Sequence, residues 1–330
     1  MSNWKTLLTS AAVATAVFAN VAHADTKRIA VVVKALGIGF FDAVDKGAEE
    51  AAKQLGDVQI IYTGPTKTTA EGQIDVINAL IAQKVDAIAI SANDKDALVP
   101  VLKKAMDRGI TVISFDSGVA PAGREMQLNA SSTELIGKML IKMAADSMPD
   151  GGKVAVLSAS ATATNQNAWI DAMKASMSAY PNIKLDEVAY GDDMADKSYR
   201  EAQALMQKYP NLKAIIAPTT VGIQAAAQAV EDAKMVGKIN VTGLGLPSEM
   251  AGHVHTGASQ GFAIWNPIDL GYAATMIADE LMTKKAEAKP GAVLDMGRMG
   301  KVTLDANGEG AMADPFFYNA KNVDEFAKIF

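Results

Sequence analysis

The sequence contains no cysteine and only three histidines. Without cysteine, disulfide bonds, thiolate nucleophiles and cysteine-ligated metals are all excluded. His253 and His255 stand two positions apart, and without a third ligand such a pair is a weak basis for a metal site. We therefore expect neither a metal nor a cofactor.

Clusters of basic residues and long apolar runs are also missing. The 31 lysines and arginines form no run of five or more, and the formal net charge is −6. A polyanion is therefore not an expected partner, which argues against nucleic-acid binding. No stretch beyond the amino-terminal region looks transmembrane, so stable membrane insertion is not expected.

The amino terminus has the pattern of a secretory signal. Lys5 precedes an apolar stretch from Leu7 to Phe18, and Ala22-His23-Ala24 forms a small-residue cleavage site. We expect residues 1–24 to be a signal peptide and the mature chain to be periplasmic; a buried amino-terminal helix is the alternative. Because a lipoprotein anchor requires a cysteine, the mature protein is expected to diffuse freely in the periplasm. We also expect it to be a monomer.

Apolar, β-branched runs alternate with helical stretches along the rest of the chain. Such runs predict buried parallel strands, and the segment 69–83, with apolar residues three and four apart, predicts a helix lying on a sheet. The runs fall into two series, 28–33, 58–62, 87–91 and 111–115, then 153–158, 184–189, 214–217 and 240–244. Val154 lies 125 residues after Ile29, the offset expected of two similar lobes.

The predicted fold is α/β, with two doubly wound parallel-sheet lobes joined by a multi-strand hinge. A chain of 330 residues exceeds one comfortable hydrophobic core, which favours two lobes. We expect residues 25–118 and 267–290 to form the amino-terminal lobe, and residues 119–266 and 291–330 the carboxyl-terminal lobe. Several crossings between lobes would allow rotation over a ligand.

Polar and aromatic residues follow the predicted strands, where ligands of such sheets bind. Carboxylates, amides and ammonium groups pair with sugar hydroxyls, and aromatic rings cover the apolar faces of sugars. The candidate ligand-binding residues are Lys34, Phe40, Phe41, Asp116, Asn165, Gln166, Pro218, Thr220, Trp265 and Asn266.

Structural roles are open for several of these residues. Lys34 can reach water without any ligand, both phenylalanines can pack in the core, and Asp116 can cap a turn. Thr164 or Asn165 can cap a helix. Nucleotide binding is not expected, because Gly37-Ile38-Gly39 is only half of a dinucleotide fingerprint and no Walker lysine-serine pair occurs. No catalytic triad or paired-carboxylate motif is recognisable, so the chain is not expected to be an enzyme.

Several segments resemble the rhamnose-binding proteins of bacterial ABC transporters, and the likeness spans essentially the whole mature chain. These segments are 31–37, 40–42, 114–117, 164–167, 217–222, 243–250 and 265–271. The resemblance implies a type I periplasmic binding protein that captures L-rhamnose between its lobes by hinge closure. It also implies two partners, a membrane permease and its cytoplasmic ATPase.

A related family is the periplasmic receptor for autoinducer-2, whose contacts come from a lysine, an aspartate, an Asp-Gln pair, a proline and an alanine. Here those places hold Lys34, Asp116, Asn165-Gln166, Pro218 and Thr220. Asn165 and Thr220 depart from that pattern, which favours rhamnose over the autoinducer. Another monosaccharide, a sugar-processing enzyme and the sensing half of a repressor remain alternatives, the last opposed by the signal peptide and the missing DNA-binding headpiece.

Overall fold

The structure is a computed structural model that describes residues 26–330. The predicted signal peptide, residues 1–24, lies outside the described residues. Within residues 26–330, no helix has both the length and the apolar character needed to cross a bilayer.

Strands and helices alternate through most of the described chain. The strands are β1 (Lys27–Val32), β2 (Val58–Thr63), β3 (Ala87–Ile90), β4 (Thr111–Phe115), β5 (Met126–Asn129), β6 (Gly152–Ser158), β7 (Ile183–Tyr190), β8 (Leu212–Ala217), β9 (Asn240–Gly243), β10 (Phe262–Ile264), β11 (Val293–Asp295), β12 (Lys301–Thr303), β13 (Glu309–Ala311) and β14 (Phe316–Tyr318). The helices are α1 (Gly39–Leu55), α2 (Ala70–Gln83), α3 (Val99–Met106), α4 (Thr133–Ser147), α5 (Thr164–Ser176), α6 (Ala195–Lys208), α7 (Thr220–Asp232), α8 (Pro247–Thr256), α9 (Pro267–Met282) and α10 (Val323–Phe326).

The first lobe is built on a six-stranded parallel sheet with the order β13-β5-β4-β3-β1-β2. Successive residues of β1 point to opposite faces of the sheet. Ile29 and Val31 belong to the core shared with α1, whereas Ala30 and Val32 belong to the core shared with α2 and α3. Both faces are covered, which explains why these strands are apolar throughout.

The second lobe has a parallel sheet with the order β7-β6-β8-β9. An isolated bridge between Leu244 and Ala263 joins the antiparallel pair β10-β14 to its β9 edge. Helix α4 packs on α5, and α6 packs on α7. The predicted α/β class with two doubly wound parallel-sheet lobes is confirmed.

The expected lobe boundaries require a correction. Strand β5 pairs with β4, and β13 pairs with β5, so both strands extend the first sheet. The hairpin β11-β12 packs on α9, which itself packs on α1. The first lobe therefore continues past residue 118 through β5, and it includes 291–311, which was expected in the second lobe. Without β5 and β13, β4 would be paired only with β3 and would form the edge of the sheet.

The chain crosses between the lobes three times. The crossings lie between β5 and α4, between β10 and α9, and between β13 and β14. The second crossing contains Asn266 and follows Trp265, which lines the cleft between the lobes. This connection between the lobes therefore also contributes to the cleft.

Candidate functional site

A cavity lies between the lobes at the carboxyl ends of their strands. Nine of the ten residues predicted from the sequence line it, and Asn266 does not. The lining residues are Lys34, Ile38, Phe40, Phe41, Asp116, Asn165, Gln166, Trp169, Asp193, Pro218, Thr219, Thr220, Leu244, Ile264 and Trp265.

A polar network joins the two lobes across this cavity. Lys34 follows β1 and Asp116 follows β4 in the first lobe, while Asn165 lies in the first turn of α5 in the second. The Lys34 Nζ donates to Asn165 Oδ1 at 3.3 Å, and Asn165 Nδ2 donates to Asp116 Oδ1 at 2.8 Å. All three side chains are buried, and because Asn165 belongs to the other lobe these bonds form only when the lobes are together.

The orientation of the Asn165 amide is fixed by its neighbours. Its Oδ1 accepts from Lys34 and, at 2.8 Å, from the backbone N–H of Gln166, so its Nδ2 must face Asp116. The other Asp116 oxygen accepts from Ser91 Oγ at 2.8 Å. Asp116 therefore does not cap its own turn. Helix α5 has Ala163 at its N-cap without a side-chain bond, so neither Thr164 nor Asn165 caps it.

Gln166 is anchored through its carbonyl oxygen. Oε1 accepts from Ser158 Oγ at 2.9 Å and from the Ala159 N–H at 2.7 Å, at the end of β6. Within residues 26–330, Gln166 Nε2 forms no hydrogen bond. Since the residue lines the cavity, its amide N–H groups are available to a ligand.

Four aromatic rings form one wall of the cavity. Phe40 meets Phe41 edge-on at 5.2 Å between centroids and Trp265 at 6.2 Å, and Trp265 meets Trp169 at 5.6 Å. All four are nearly buried, so they are core residues that also face the cavity. Trp265 Nε1 is buried without a partner among the described residues, which leaves one N–H donor in an apolar wall.

Asn266 has a structural role in place of the ligand contact that we expected. Its Oδ1 accepts from the Ile268 N–H at 3.0 Å, and its Nδ2 donates to Asp269 at 3.0 Å. These bonds cap the amino terminus of α9, the ordinary function of asparagine at this position. Its position after a strand predicted a ligand contact, but both polar atoms of its side chain are hydrogen-bonded in the helix cap.

Sequence reasoning missed several lining residues, of which Asp193 carries the most chemistry. Asp193 stands three residues after β7, so the strand-end rule that identified Lys34 and Asp116 applies to it as well. Trp169 lies one turn after Asn165 in α5, and it lines the cavity from that helix.

Two further hydrogen bonds join the lobes at the rim of the cleft. Thr68 Oγ1 of the first lobe donates to the Asp192 carbonyl at 2.6 Å, and Thr162 Oγ1 of the second donates to the Asn93 carbonyl at 3.0 Å. With the network inside the cavity, they describe a closed arrangement of the two lobes.

Comparison with known proteins places this geometry in context. The chain matches the periplasmic binding protein domain family over residues 29–286. An ABC transporter solute-binding protein from Clostridium phytofermentas, solved with bound L-rhamnose, is 37% identical and superposes with a TM-score of 0.89 over 92% of this chain and 99% of that one. The D-ribose/D-allose-binding protein of Pseudomonas aeruginosa is 29% identical over 235 residues, 67% of this chain and 72% of that protein. LsrB from Clostridium saccharobutylicum in complex with AI-2 superposes with a TM-score of 0.85 over 91% of this chain and 99% of that one; at 23% identity this likeness concerns the fold alone.

Proposed function

This chain belongs to the periplasmic binding protein domain family, and from that premise we propose that it binds L-rhamnose between its lobes and delivers it to a permease. The chain is the solute-binding protein of a sugar ABC transporter, and its family implies a periplasmic location.

The observation that carries the proposal is the Lys34–Asn165–Asp116 network beside an aromatic wall. The network provides both donors and acceptors, which the hydroxyls of a neutral sugar require. The wall of Phe40, Phe41 and Trp265 suits the methyl group of a 6-deoxyhexose, which has no hydrogen bond to offer. The protein solved with L-rhamnose, at 37% identity, supports the same ligand.

Asn165 places an amide where the autoinducer receptors have an aspartate. Its Nδ2 lies 2.8 Å from Asp116 Oδ1, so an aspartate in the same rotamer would set two carboxylate oxygens against each other. Like charges at that distance repel strongly in a buried site. The pocket is thus organised around an amide at this position, unlike the Asp-Gln pair of the autoinducer receptors.

Sugar binding is expected to contract the protein. A ligand that contacts both lobes favours the closed state through contacts absent from the open one. Small-angle X-ray scattering is expected to show a smaller radius of gyration with saturating L-rhamnose. The Asn165→Asp variant should require much more sugar for the same contraction, because its carboxylate repels Asp116 when the lobes close. The control, Asn167→Asp, lies two residues along the helix and should behave as the unaltered protein does. An unchanged radius with bound sugar would contradict closure.

A glutamate between the lobes should make affinity depend on pH. Glu249 of α8 packs against the first turn of α1, where a Cβ on Gly39 would lie 2.6 Å from Glu249 Oε1. Burial, and then the negative charge of Asp42, raise the pKa of Glu249 to about 7. Asp42 itself accepts from the Tyr62 hydroxyl at 3.1 Å. In open lobes water would solvate this carboxyl, so closure takes up a proton.

The direction of the pH dependence of sugar affinity follows from the protonation of Glu249 in the open and closed states. Well below the ordinary glutamate pKa, Glu249 is neutral in both states and closure is unopposed; above about pH 7 it is charged in both and the full cost applies. Sugar affinity should therefore fall as pH rises, being roughly 50- to 100-fold weaker at about pH 8 than at about pH 5. Calorimetric titration across this range should give a much shallower profile for Glu249→Gln and an unchanged slope for the exposed Glu71→Gln. The same slope in Glu249→Gln would refute this assignment.

An enzymatic function predicts turnover, which a binding protein lacks. Prolonged incubation of the protein with L-rhamnose, followed by mass spectrometry of the sugar, is expected to return the sugar unchanged. Formation of any product would favour the enzyme alternative.

A further inference from the structure

Asp193 is a carboxylate in the cavity that the polar network between the lobes does not use. We infer, building on the proposed function, that Asp193 accepts a hydrogen bond from one hydroxyl of the bound sugar and selects neutral sugars over anionic ones. Three features of the structure support this role.

The first feature is the hydrogen bonding of the Asp193 carboxylate. Its Oδ1 accepts from Thr219 Oγ1, and that hydroxyl also caps α7 by accepting from the Gly222 N–H at 3.5 Å. The second oxygen, Oδ2, receives no hydrogen bond from any residue in 26–330. One oxygen is thus fixed in position by the second lobe, while the other is left for a donor from the cavity that Asp193 lines.

The second feature is the backbone that places Asp193. The φ angles of Asp192 and Asp193 are 56° and 50°, in the left-handed region, which aspartate tolerates better than most residues but which still costs free energy. The Asp192 carbonyl accepts from Thr68 of the first lobe. Two successive residues in this conformation turn the chain after β7 so that the Asp193 side chain enters the cleft.

The third feature is the balance of charge in the cavity, where Lys34 is the lining cation and Asp116 and Asp193 are the lining carboxylates. Burial raises the pKa of Asp193, with the nearby Lys34 charge and the Thr219 hydrogen bond opposing, and with Asp116 and Asp192 adding to the rise. The charge of Asp193 is therefore only partly compensated by the protein. A sugar hydroxyl that donates to Oδ2 would add compensation, whereas a sugar acid would bring a further negative charge into the cavity.

The test compares Asp193→Asn with Asp196→Asn by isothermal titration with L-rhamnose, D-ribose and D-allose. Asparagine keeps the tolerance for positive φ and the acceptor for Thr219, so the first change removes mainly the charge at Oδ2. The exposed Asp196, three residues along, controls for the same loss of charge outside the cavity. We expect the dissociation constant of the sugar that binds best to rise roughly 10- to 100-fold in Asp193→Asn, and to change less than about twofold in Asp196→Asn.

A set of monodeoxy analogues of that sugar separates ligand contact from a structural effect. For the analogue lacking the hydroxyl that faces Asp193, the unaltered protein and Asp193→Asn should bind about equally, while the other analogues should keep the 10- to 100-fold ratio. An equal ratio for every analogue, or no loss in Asp193→Asn, would overturn the inference and leave the proposed function standing. If the unaltered protein binds none of the three sugars, the proposed function fails and this inference fails with it.

Discussion

Replacing Asp116 with asparagine is expected to weaken L-rhamnose binding at least about 100-fold. Asp116 is buried, and its two oxygens accept from Asn165 Nδ2 and Ser91 Oγ. The substitution removes a charged acceptor and sets an N–H₂ group where donors converge. Asn165 cannot turn its amide to compensate, because Lys34 and the Gln166 N–H hold its Oδ1. Asparagine still offers one acceptor oxygen, so the expected effect comes from the lost charge. Hydrogen bonds to charged groups contribute about 1.5–3 kcal/mol each, and both the contact with Asn165 across the lobes and a contact with a sugar hydroxyl would be weakened.

Isothermal titration measures this loss, and thermal unfolding without sugar measures the accompanying change in stability. Asparagine is chosen over alanine because Asp116 has a φ of 56°, which asparagine accepts with less strain. Asp75→Asn removes a carboxylate from the exposed face of α2 and should bind sugar as tightly as the unaltered protein. Binding by Asp116→Asn within a few-fold of that control would show that Asp116 does not contact the ligand.

Replacing Gly47 with alanine is expected to destabilise the fold by roughly 3 kcal/mol or more. A Cβ on Gly47 of α1 would lie 1.7 Å from the Ile268 carbonyl oxygen of α9, and a Cβ on Gly271 of α9 would lie 1.9 Å from the Val44 carbonyl oxygen of α1. The two helices meet backbone to backbone, so no flexible side chain is present to move aside. The helices would have to separate.

This separation should also affect the binding site. Helix α1 carries Phe40 in its first turn, and α9 begins two residues after Trp265, so both rings depend on the same contact. Differential scanning calorimetry should show a melting temperature lower by at least about 6 °C. The control is Gly252→Ala in α8, where an added Cβ meets nothing within 4 Å. That change should raise the melting temperature slightly, because alanine favours a helix interior by about 1 kcal/mol over glycine. Equal effects of the two substitutions would contradict the close helix packing.

Much of the fold was predictable because strand and helix patterns are local. The segment predicted as a helix at 69–83 is α2, with Thr69 as its N-cap, and the run predicted at 153–158 is β6. Strands that are short and weakly patterned were not predicted. Strand β5, with four residues, pairs with β4, and strand β13, with three residues, pairs with β5 across about 180 residues of sequence. The lobe boundary at 118 was wrong for this reason.

The lining of the cavity was predictable to the extent that it follows strand ends. Lys34 and Asp116 directly extend apolar strands, so their position in the cleft follows from topology. Asp193 lies beyond a turn with two residues of positive φ, and no simple pattern predicts where such a turn directs a side chain. Asn266 is the reverse case, a residue that was predicted to contact the ligand and does not line the cavity. An asparagine at the end of a strand serves equally well as a helix cap, and only the hydrogen bonds to Ile268 and Asp269 distinguish the two roles.

The identity of the ligand is tested most directly by titrating the unaltered protein with L-rhamnose, D-ribose, D-galactose, L-fucose and autoinducer-2, each measured by calorimetry and thermal shift. We predict that L-rhamnose binds at least about 10-fold more tightly than each of the others, because every misplaced hydroxyl leaves buried polar groups unpaired at roughly 1–3 kcal/mol. At one hundred times its dissociation constant, L-rhamnose should add about 2.7 kcal/mol of stability and raise the melting temperature by several degrees. No binding of L-rhamnose, or binding of ribose or autoinducer-2 that is as tight, would contradict the assignment.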